Sequence, residues 1–334
     1  MTEENGENTD RINILVPVYR PDEKLAGLIY MMNRQSLKPD KMVFMVTVDA
    51  DSTEEDQARA LSGTVRGSDI PIECRFVRKA EFDHGGTRNR GMEYCDGQIV
   101  ICMTQDAVPE DDHMVEELTL PFRGEFCGAS GGVAEGREII VSYARQMPAK
   151  DCRPVERFTR NFNYPPVSRI KTEEDLKTLG IKTFFASNVC AAYKKDLFLA
   201  RGGFPEQTIF NEDMIFAGRA VRAGYAVAYA AGARVIHSHN LPFREQFKRN
   251  FDLAVSQADF PDVFEGVPSE GEGIRLVKST MRYLASQGKI HLIPGLIWGS
   301  ACKYAGYFLG KRYRKLPKKL VRAFSLNKYY WRNR

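Results

Sequence analysis

Short apolar runs alternate with amphipathic stretches along the first part of the chain. Four runs have the length and composition of buried strands: Arg11–Tyr19, Lys41–Val48, Ile72–Val77 and Ile99–Cys102. Helical patterns lie between them, the first with Asp22 as its N-cap. Because strands that alternate with helices predict βαβ units, we expect an α/β fold around a mostly parallel central sheet.

Further along the chain the pattern is less regular. Residues 137–162 look helical in parts, and residues 183–193 return to strand character. An amphipathic helix begins near Phe210 and ends at Gly224, and a short strand follows over residues 225–230. These elements extend the α/β pattern to about residue 240.

After residue 240 the chain changes character. Phenylalanine recurs every fourth residue from Phe243 among basic groups, which predicts an amphipathic helix. Residues 290–309 are apolar but interrupted by charge, proline and glycine, which favours a helix lying in a membrane interface over one that spans the bilayer. We therefore expect three parts: a disordered tail over 1–10, a domain over 11–240, and a helical, basic, membrane-associating region over 241–334.

The charge of the chain is divided unevenly. Its net charge is +5, yet residues 311–334 contain ten lysines and arginines and no acid, so residues 1–310 carry −5. Aromatic residues lie among these ten cations, which suits an anionic membrane surface. A basic, aromatic stretch of this kind could also bind nucleic acid, but no nucleic-acid recognition fold accompanies it, so we expect no nucleic-acid partner.

Composition narrows the class of protein. The chain of 334 residues is 43% hydrophobic and 27% charged, as expected of a globular protein with a large core. Its seven cysteines are scattered without a Cys-x-x-Cys pair, which indicates a reducing compartment. The polar, acidic start does not have the pattern of a signal peptide. We expect a cytoplasmic protein, peripheral on the inner face of the cell membrane.

Acidic side chains follow two of the predicted strands. Asp49 and Asp51 come after the second strand, and Asp106 follows the fourth, with Pro109 predicted to open a helix. The carboxyl ends of parallel strands form the ligand-binding edge of open α/β sheets, so a carboxylate there could hold a divalent ion against phosphates. Capping of the next helix is the alternative for Asp106.

Three further stretches carry candidate chemistry. Residues 81–91 contain His84, a Gly-Gly pair and Arg88 before a helix, which suits an anion or describes an ordinary glycine-rich turn. Glu212 and Asp213 begin a helix, where they could cap it or act in catalysis. His237 and His239 share one side if their strand continues, as polar surface groups or as metal or phosphate ligands.

Taken in order, these stretches resemble the family 2 glycosyltransferases of the GT-A fold, and among them the bacterial rhamnosyltransferases that use dTDP-L-rhamnose. The resemblance covers roughly residues 11–240 and extends to the Gly310-Lys311-Arg312-Tyr313 tail. It is carried by Val16-Pro17-Val18-Tyr19, Asp49-Ala50-Asp51-Ser52-Thr53, Phe82-Asp83-His84-Gly85-Gly86-Thr87-Arg88-Asn89, Thr104-Gln105-Asp106-Ala107, Asn211-Glu212-Asp213 and His237-Ser238-His239.

The resemblance implies roles for individual residues. Asp213 matches the general base, with Glu212 as the second candidate. Asp106 matches the acid that binds Mg²⁺ or Mn²⁺ on the donor diphosphate, with His239 or His237 beside the metal. The residues implied to bind the donor nucleotide-sugar are Pro17, Tyr19, Asp49, Asp51, His84, Arg88, Gln105 and Asp106.

Two positions depart from the family pattern. Thr104 stands where the family has the first acid of its Asp-x-Asp motif, which leaves a single carboxylate for the metal. Ala50 stands where many relatives have an acid beside the uracil ring. The Thr-Gln-Asp-Ala form resembles the rhamnosyltransferase branch, so the first departure also supports that branch.

The activity implied is inverting transfer of a sugar, L-rhamnose in the first place, onto a hydroxyl of a lipid-linked glycan in bacterial cell-surface polysaccharide synthesis. One alternative is a transferase of the same fold that uses a UDP-hexose or UDP-galactofuranose. Another is a catalytically silent scaffold at the membrane, which the missing first acid would allow.

Overall fold

The computed structural model of the protein describes residues 10–124, 136–267 and 270–331; the predicted tail over 1–10 therefore lies almost entirely outside the described residues. Its strands are β1 Ile12–Val18, β2 Lys41–Val48, β3 Ile72–Arg78, β4 Ile99–Met103, β5 Val108–Pro109, β6 Ile139–Met147, β7 Arg169–Lys171, β8 Cys190–Lys194 and β9 Ala226–Ile236. Its α-helices are α1 Glu23–Asn33, α2 Glu54–Val65, α3 His84–Glu93, α4 Met114–Thr119, α5 Pro154–Asn163, α6 Leu176–Leu179, α7 Lys195–Ala200, α8 Glu212–Arg222, α9 Phe243–Asp259, α10 Pro261–Phe264, α11 Glu270–Ser286, α12 Ile293–Gly310 and α13 Lys318–Phe324.

The strands form a single mixed sheet in the order β3-β2-β1-β4-β8-β6-β9-β5, with β7 paired to β9. The first four strands along this order are parallel, which confirms the predicted parallel sheet. Strand β8 then runs antiparallel to both β4 and β6, and β6 and β9 are parallel again. Because β1, β2 and β4 are parallel, Tyr19, Asp49 and Thr104 follow them at one edge of the sheet.

Both faces of the sheet are buried. Alternate residues of β1 enter opposite halves of the core: Leu15 lies with Met92 of α3 and Ile215 of α8, whereas Ile14 lies with Leu28 of α1. A strand covered on both faces needs apolar residues at successive positions, which is why β1, β2 and β4 are largely apolar runs in the sequence.

Two predicted elements differ from the structure. Pro109 does not open a helix: Val108–Pro109 pair with β9, and the next helix begins at Met114. Asp106 therefore caps no helix, and the capping interpretation is wrong. Residues 183–193 are strand only from Cys190, because Gly180–Phe184 form a 3-10 turn whose last two residues are buried, and the following residues are irregular. An apolar run does not distinguish a buried turn from a buried strand.

The region after residue 240 is helical, as predicted, and α9 packs along α12. Its phenylalanines do form one helix, in which Phe251 is buried and contacts Phe324 of α13. In the described part of the chain, no helix combines the length and the apolarity that crossing a bilayer requires.

Candidate active site

Asp106 and the two histidines form one cluster beyond the edge of the sheet. Asp106 Oδ2 lies 3.2 Å from His239 Nε2 and 3.6 Å from His237 Nε2, and the two imidazole nitrogens are 3.0 Å apart. Strand β9 ends at Ile236, so the histidines meet through the path of the chain after the strand and not through strand periodicity. The three side chains offer one oxygen and two nitrogens within 4.8 Å of one another.

A buried glutamine sets the protonation of His237. Gln146 Oε1 accepts a hydrogen bond from the Arg160 guanidinium and lies 3.1 Å from His237 Nδ1. The Gln146 oxygen can only accept hydrogen bonds, so His237 Nδ1 must donate to it and therefore carries the proton of the neutral imidazole. The lone pair of His237 Nε2 then faces Asp106. This is the arrangement in which a neighbouring acceptor orients a metal-binding histidine.

The charges of the cluster follow from its surroundings. Burial lowers the pKa of His237 to about 3, so its imidazole is neutral at neutral pH. Burial would raise the pKa of Asp106, but the hydrogen bonds with His239 and Thr104 and the charge interactions with both histidines together hold that pKa below its usual value. An ionised carboxylate beside a neutral imidazole is a suitable ligand set for a divalent cation.

Asp213 is held at the start of α8 in a different way. Its Oδ2 accepts the backbone N–H of Asn188 at 2.8 Å, and its Oδ1 accepts the N–H of Met214 at 2.7 Å. The surrounding protein, and then the negative charge of Glu212, raise the pKa of Asp213 to about 7. The side chain keeps partial exposure, so it combines access with a pKa suited to exchanging protons near neutral pH.

Glu212 is buried and bonded to neighbouring side chains. Its Oε1 accepts hydrogen bonds from Arg88 at 3.1 Å and from the Asn188 side chain at 3.2 Å. Only 5% of the Arg88 side chain and 9% of the Glu212 side chain are exposed. Burial opposes the ionisation of Glu212, but the charge of Arg88 together with hydrogen bonds from the Asn188 side chain and the Glu212 backbone N–H lowers its pKa overall. Arg88 and Glu212 are thus bonded to each other in the protein interior. The catalytic role of Glu212 and the donor-binding role of Arg88 remain predictions.

One segment connects the two acidic sites. The Asn188 N–H is bonded to Asp213, and the next residue, Val189, accepts the N–H of Thr104 at 3.2 Å. The Ser187 hydroxyl accepts from the Gln146 side chain at 3.0 Å. Residues 187–189 therefore contact the turn that carries Asp106, the support of His237, and the carboxylate of Asp213.

The residues predicted to bind the nucleotide form a second polar group on the same edge. The Tyr19 hydroxyl lies 3.1 Å from Asp49, and Lys79 contacts both of them, with its Nζ 2.6 Å from Asp49 Oδ1. The hydrogen bond with Asp49 raises the pKa of Lys79 to about 12. Gln105 accepts the Tyr19 N–H at 2.7 Å, which joins this group to the Asp106 turn. Pro17 is partly buried within β1. Asp51 is exposed beyond β2.

The glycine pair at 85–86 does not offer open backbone to a ligand. A Cβ on Gly85 would lie 2.1 Å from the Pro205 carbonyl oxygen, so this glycine permits close packing of the chain on itself. Asp83 caps α3 and accepts the Gly86 N–H at 2.6 Å, so a carboxylate already occupies the helix start. His84 is partly buried, and burial lowers its pKa.

Sequence reasoning missed several residues of this site. Lys79 follows the third strand at the same edge as Asp49, so its position after a strand was a usable signal. Gln146 and Asn188 lie within apolar stretches and have no recognisable spacing. Arg249 of α9 is exposed and lies 5.0 Å over the Phe210 ring, two residues before Glu212.

Helix α9 also supports the segment that carries the acids. The Ser256 hydroxyl donates to the Phe210 carbonyl oxygen at 2.6 Å, and the Asn211 side chain donates to the Leu253 carbonyl at 3.4 Å. Asn211 has a φ of 63°, a left-handed conformation that asparagine tolerates better than most residues. The region after residue 240 thus contributes directly to the geometry of Asp213.

Comparison with known proteins identifies the family to which the chain is similar. The family model described as "Glycosyl transferase family 2" matches residues 13–201. The O-antigen chain rhamnosyltransferase RfbN of Salmonella typhimurium is 35% identical over 327 residues, 97% of this chain and 96% of its own length. The O-antigen chain rhamnosyltransferase WbaN of Salmonella anatum is 36% identical over 325 residues, 96% and 95% of the two chains.

A solved structure shares the fold at low sequence identity. The mannosyltransferase PcManGT from Pyrobaculum calidifontis, in complex with GDP-Man and Mn²⁺, has a TM-score of 0.52 and 15% identity. The match covers 97% of this chain and 86% of that one. This likeness supports the α/β architecture predicted from the strand and helix pattern.

Proposed function

The chain belongs to glycosyltransferase family 2, and from that premise we propose that it transfers L-rhamnose from dTDP-L-rhamnose to a hydroxyl of a lipid-linked glycan in O-antigen synthesis. The choice of sugar is supported by the two relatives, which are named O-antigen chain rhamnosyltransferases and match nearly the whole chain. The transfer inverts the anomeric centre.

The arrangement of Asp106 and Asp213 around residues 187–189 carries this proposal. The transfer needs a cation site for the leaving diphosphate and a base for the attacking hydroxyl. Asp106 and Asp213 have the ionisation suited to these two tasks, and one short segment contacts both sites.

Asp213 is the base in this proposal. The acceptor oxygen forms a bond to carbon 1 of the sugar, its proton passes to a carboxylate oxygen of Asp213, and the electron pair of the breaking bond leaves with the nucleoside diphosphate. The two backbone N–H groups fix the carboxylate in place. A base of this kind typically contributes about 10²- to 10⁴-fold to the rate.

Asp106, His237 and His239 hold a divalent cation in this proposal. Their donor atoms fit such an ion, because Asp106 is ionised and the lone pair of His237 Nε2 faces the Asp106 carboxylate. Two imidazole nitrogens favour Mn²⁺ over Mg²⁺, which prefers oxygen ligands. The bound ion supplies positive charge for the departing diphosphate.

The nucleotide lies over Pro17, Tyr19 and Asp49, with Gln105 connecting this side to the Asp106 turn. Asp51, His84 and Arg88 are part of the donor site in the same proposal. The region after residue 240 holds the protein on the cytoplasmic face of the membrane, where a lipid-linked acceptor is confined. No nucleic acid takes part.

A donor panel tests the proposed reaction. The full chain is incubated with Mn²⁺, a lipid-linked glycan and either dTDP-L-rhamnose, UDP-glucose, UDP-galactose or UDP-galactofuranose. We expect addition of a deoxyhexose only with the first donor, detected by mass spectrometry, with NMR showing the opposite anomeric configuration to the donor. Efficient transfer from a UDP-sugar alone would contradict the choice of rhamnose. Absence of transfer from every donor would favour the silent scaffold.

A further inference from the structure

Two glycines in the second half of helix α12 face the protein. A Cβ on Gly306 would lie 2.2 Å from the Phe247 carbonyl oxygen, and one on Gly310 would lie 2.3 Å from that of Phe251. Only glycine permits this approach, so the backbones of α9 and α12 lie in close contact. The large side chains of α12 are left for the opposite face.

The outward face of α12 is an apolar stripe. Its members are exposed by 43% to 63% and lie at helical spacing: Ile297, Trp298, Tyr304 and Phe308. A contiguous exposed surface of this kind marks a site of interaction. Aromatic side chains on one helix face are typical of helices that lie in a membrane interface.

An open cavity of about 640 Å³ lies at the C-terminal end of this stripe. Tyr304 and Phe308 belong to the stripe and also line the cavity. Four cations line it too: Lys311, Arg312, Arg314 and Lys315. The volume falls within the range of about 300–1,000 Å³ that is usual for small-ligand sites.

The charge of the cavity is positive. Among the described residues that line it, none is acidic. The nearby Asp259 is bonded to Arg314 at 2.8 Å, which offsets part of the charge of Arg314. The Arg312 guanidinium lies 3.8 Å over the Phe308 ring, so a cation and an apolar surface are presented together.

We propose that this cavity binds the phosphate headgroup of an anionic membrane lipid while the stripe on α12 lies among the acyl chains. The inference rests on the membrane association proposed above and assigns it to a formed site. A diffuse attraction between the basic tail and the membrane is the competing explanation, and it predicts that every lysine of the tail contributes alike.

Two double variants of the full chain separate these explanations. Lys311→Ala with Lys315→Ala removes two cations from the cavity. Lys318→Ala with Lys319→Ala removes the same charge from α13, whose lysines do not line the cavity. Binding is measured by flotation with phosphatidylcholine vesicles that contain or lack phosphatidylglycerol, and with added glycerol 3-phosphate as a soluble headgroup analogue.

We expect the cavity variant to lose at least tenfold in affinity for the anionic vesicles, and the α13 variant to lose about twofold. Glycerol 3-phosphate should compete with the vesicles for the wild-type protein only weakly, since it lacks the acyl chains. Equal losses in the two variants would overturn the site in favour of diffuse attraction, and no loss in either would overturn it as well. Unchanged thermal unfolding in both variants shows that they are folded.

Trp298 provides a second measurement. The chain has two tryptophans, and Trp331 is already buried whereas Trp298 is 62% exposed. Insertion of the stripe into anionic vesicles should move Trp298 out of water and therefore shift the fluorescence emission of the wild type to the blue. Trp298→Phe should abolish the shift. A wild-type protein that neither floats nor shifts would overturn the membrane association itself. Rhamnosyl transfer to a water-soluble acceptor is independent of these outcomes and tests the catalytic proposal alone.

Discussion

The surroundings of Asp106 and Asp213 shift the pKa values of these two aspartates in opposite directions. Asp106 lies against two histidines, and its pKa is held below the usual value despite burial. Asp213 lies beside another carboxylate, and its pKa is raised to about 7. The surroundings therefore favour the ionised form of the side chain at Asp106 and the protonated form at Asp213, the residue proposed as the base. Environments that separate the pKa values of two carboxylates are a recurring way of assigning their roles in catalysis.

Replacing Asp213 by asparagine should have the largest effect. The variant keeps the shape of the side chain but has no basic carboxylate, so we expect turnover to fall by about 10²- to 10⁴-fold while donor binding is retained. Steady-state transfer rates and donor-induced thermal shifts measure the two quantities. A variant with near wild-type turnover would show that another group takes the proton.

The same variant has an expected effect on stability. A raised pKa means that the folded protein favours protonated Asp213, so stability is lost as the pH rises from the unfolded value toward about 7. Asparagine cannot ionise, and we expect the Tm of Asp213→Asn at pH 8 to equal or exceed that of the wild type. A large decrease in Tm would mean that the loss of turnover reflects unfolding.

Glu212→Gln tests the structural side of the acidic pair. It leaves the buried Arg88 guanidinium without its carboxylate, and we expect the free energy of unfolding to fall by about 3–5 kcal/mol. Urea denaturation measures this. Glu81→Gln is the matched control, because Glu81 faces Arg90 at the surface at 3.8 Å and should contribute about 0–1 kcal/mol. Equal effects of the two variants would exclude a special role for the buried pair.

Asp106→Asn tests the cation site. We expect the thermal stabilisation that Mn²⁺ gives the wild type to disappear, because the only anionic ligand of the cluster is lost. Asp51→Asn removes an exposed carboxylate outside the cluster and should leave the Mn²⁺ response intact. A Mn²⁺ response that survives in Asp106→Asn would place the ion elsewhere.

Gln146→Met should have a smaller effect on the same site. It removes the acceptor that fixes the His237 tautomer, and such a change typically lowers metal affinity by about 10- to 100-fold. Titration with Mn²⁺, followed by thermal shift, measures the affinity. Gln257→Met is the control, since it replaces a buried glutamine that is bonded to Tyr307 in the C-terminal region. Similar Mn²⁺ affinities in both variants would contradict the orienting role of Gln146.

The sequence pattern predicted the parallel half of the fold well for a physical reason. Strands β1, β2 and β4 are buried on both faces, so each is a largely apolar run, and the ends of β2 and β4 place Asp49 and Asp106 at one edge. The pattern misled over residues 183–193, where a buried turn is as apolar as a strand. Residues 187–189 could not be assigned to the site from the sequence, because their contacts are made by backbone groups that every residue has.

Contacts between residues that lie far apart along the chain could not be predicted from the sequence either. Arg88 and Glu212 are both typical of surface or ligand-binding positions, and only their burial against each other shows a structural role. Gln146 is a polar residue near the end of β6, and its contact with the metal-site cluster is to a histidine 91 positions away. Such residues have no periodicity or spacing of their own, so only the fold brings them together.

The pH dependence of kcat/KM tests the contrast between the two aspartates most directly. If Asp213 is the base and Asp106 remains ionised throughout, kcat/KM should fall about tenfold per pH unit below about 7 and level off above it. Saturating Mn²⁺ keeps the Asp106 site constant during the measurement. A profile that stays flat from about pH 5.5 to 8 would contradict the assignment of Asp213 as a base with a raised pKa.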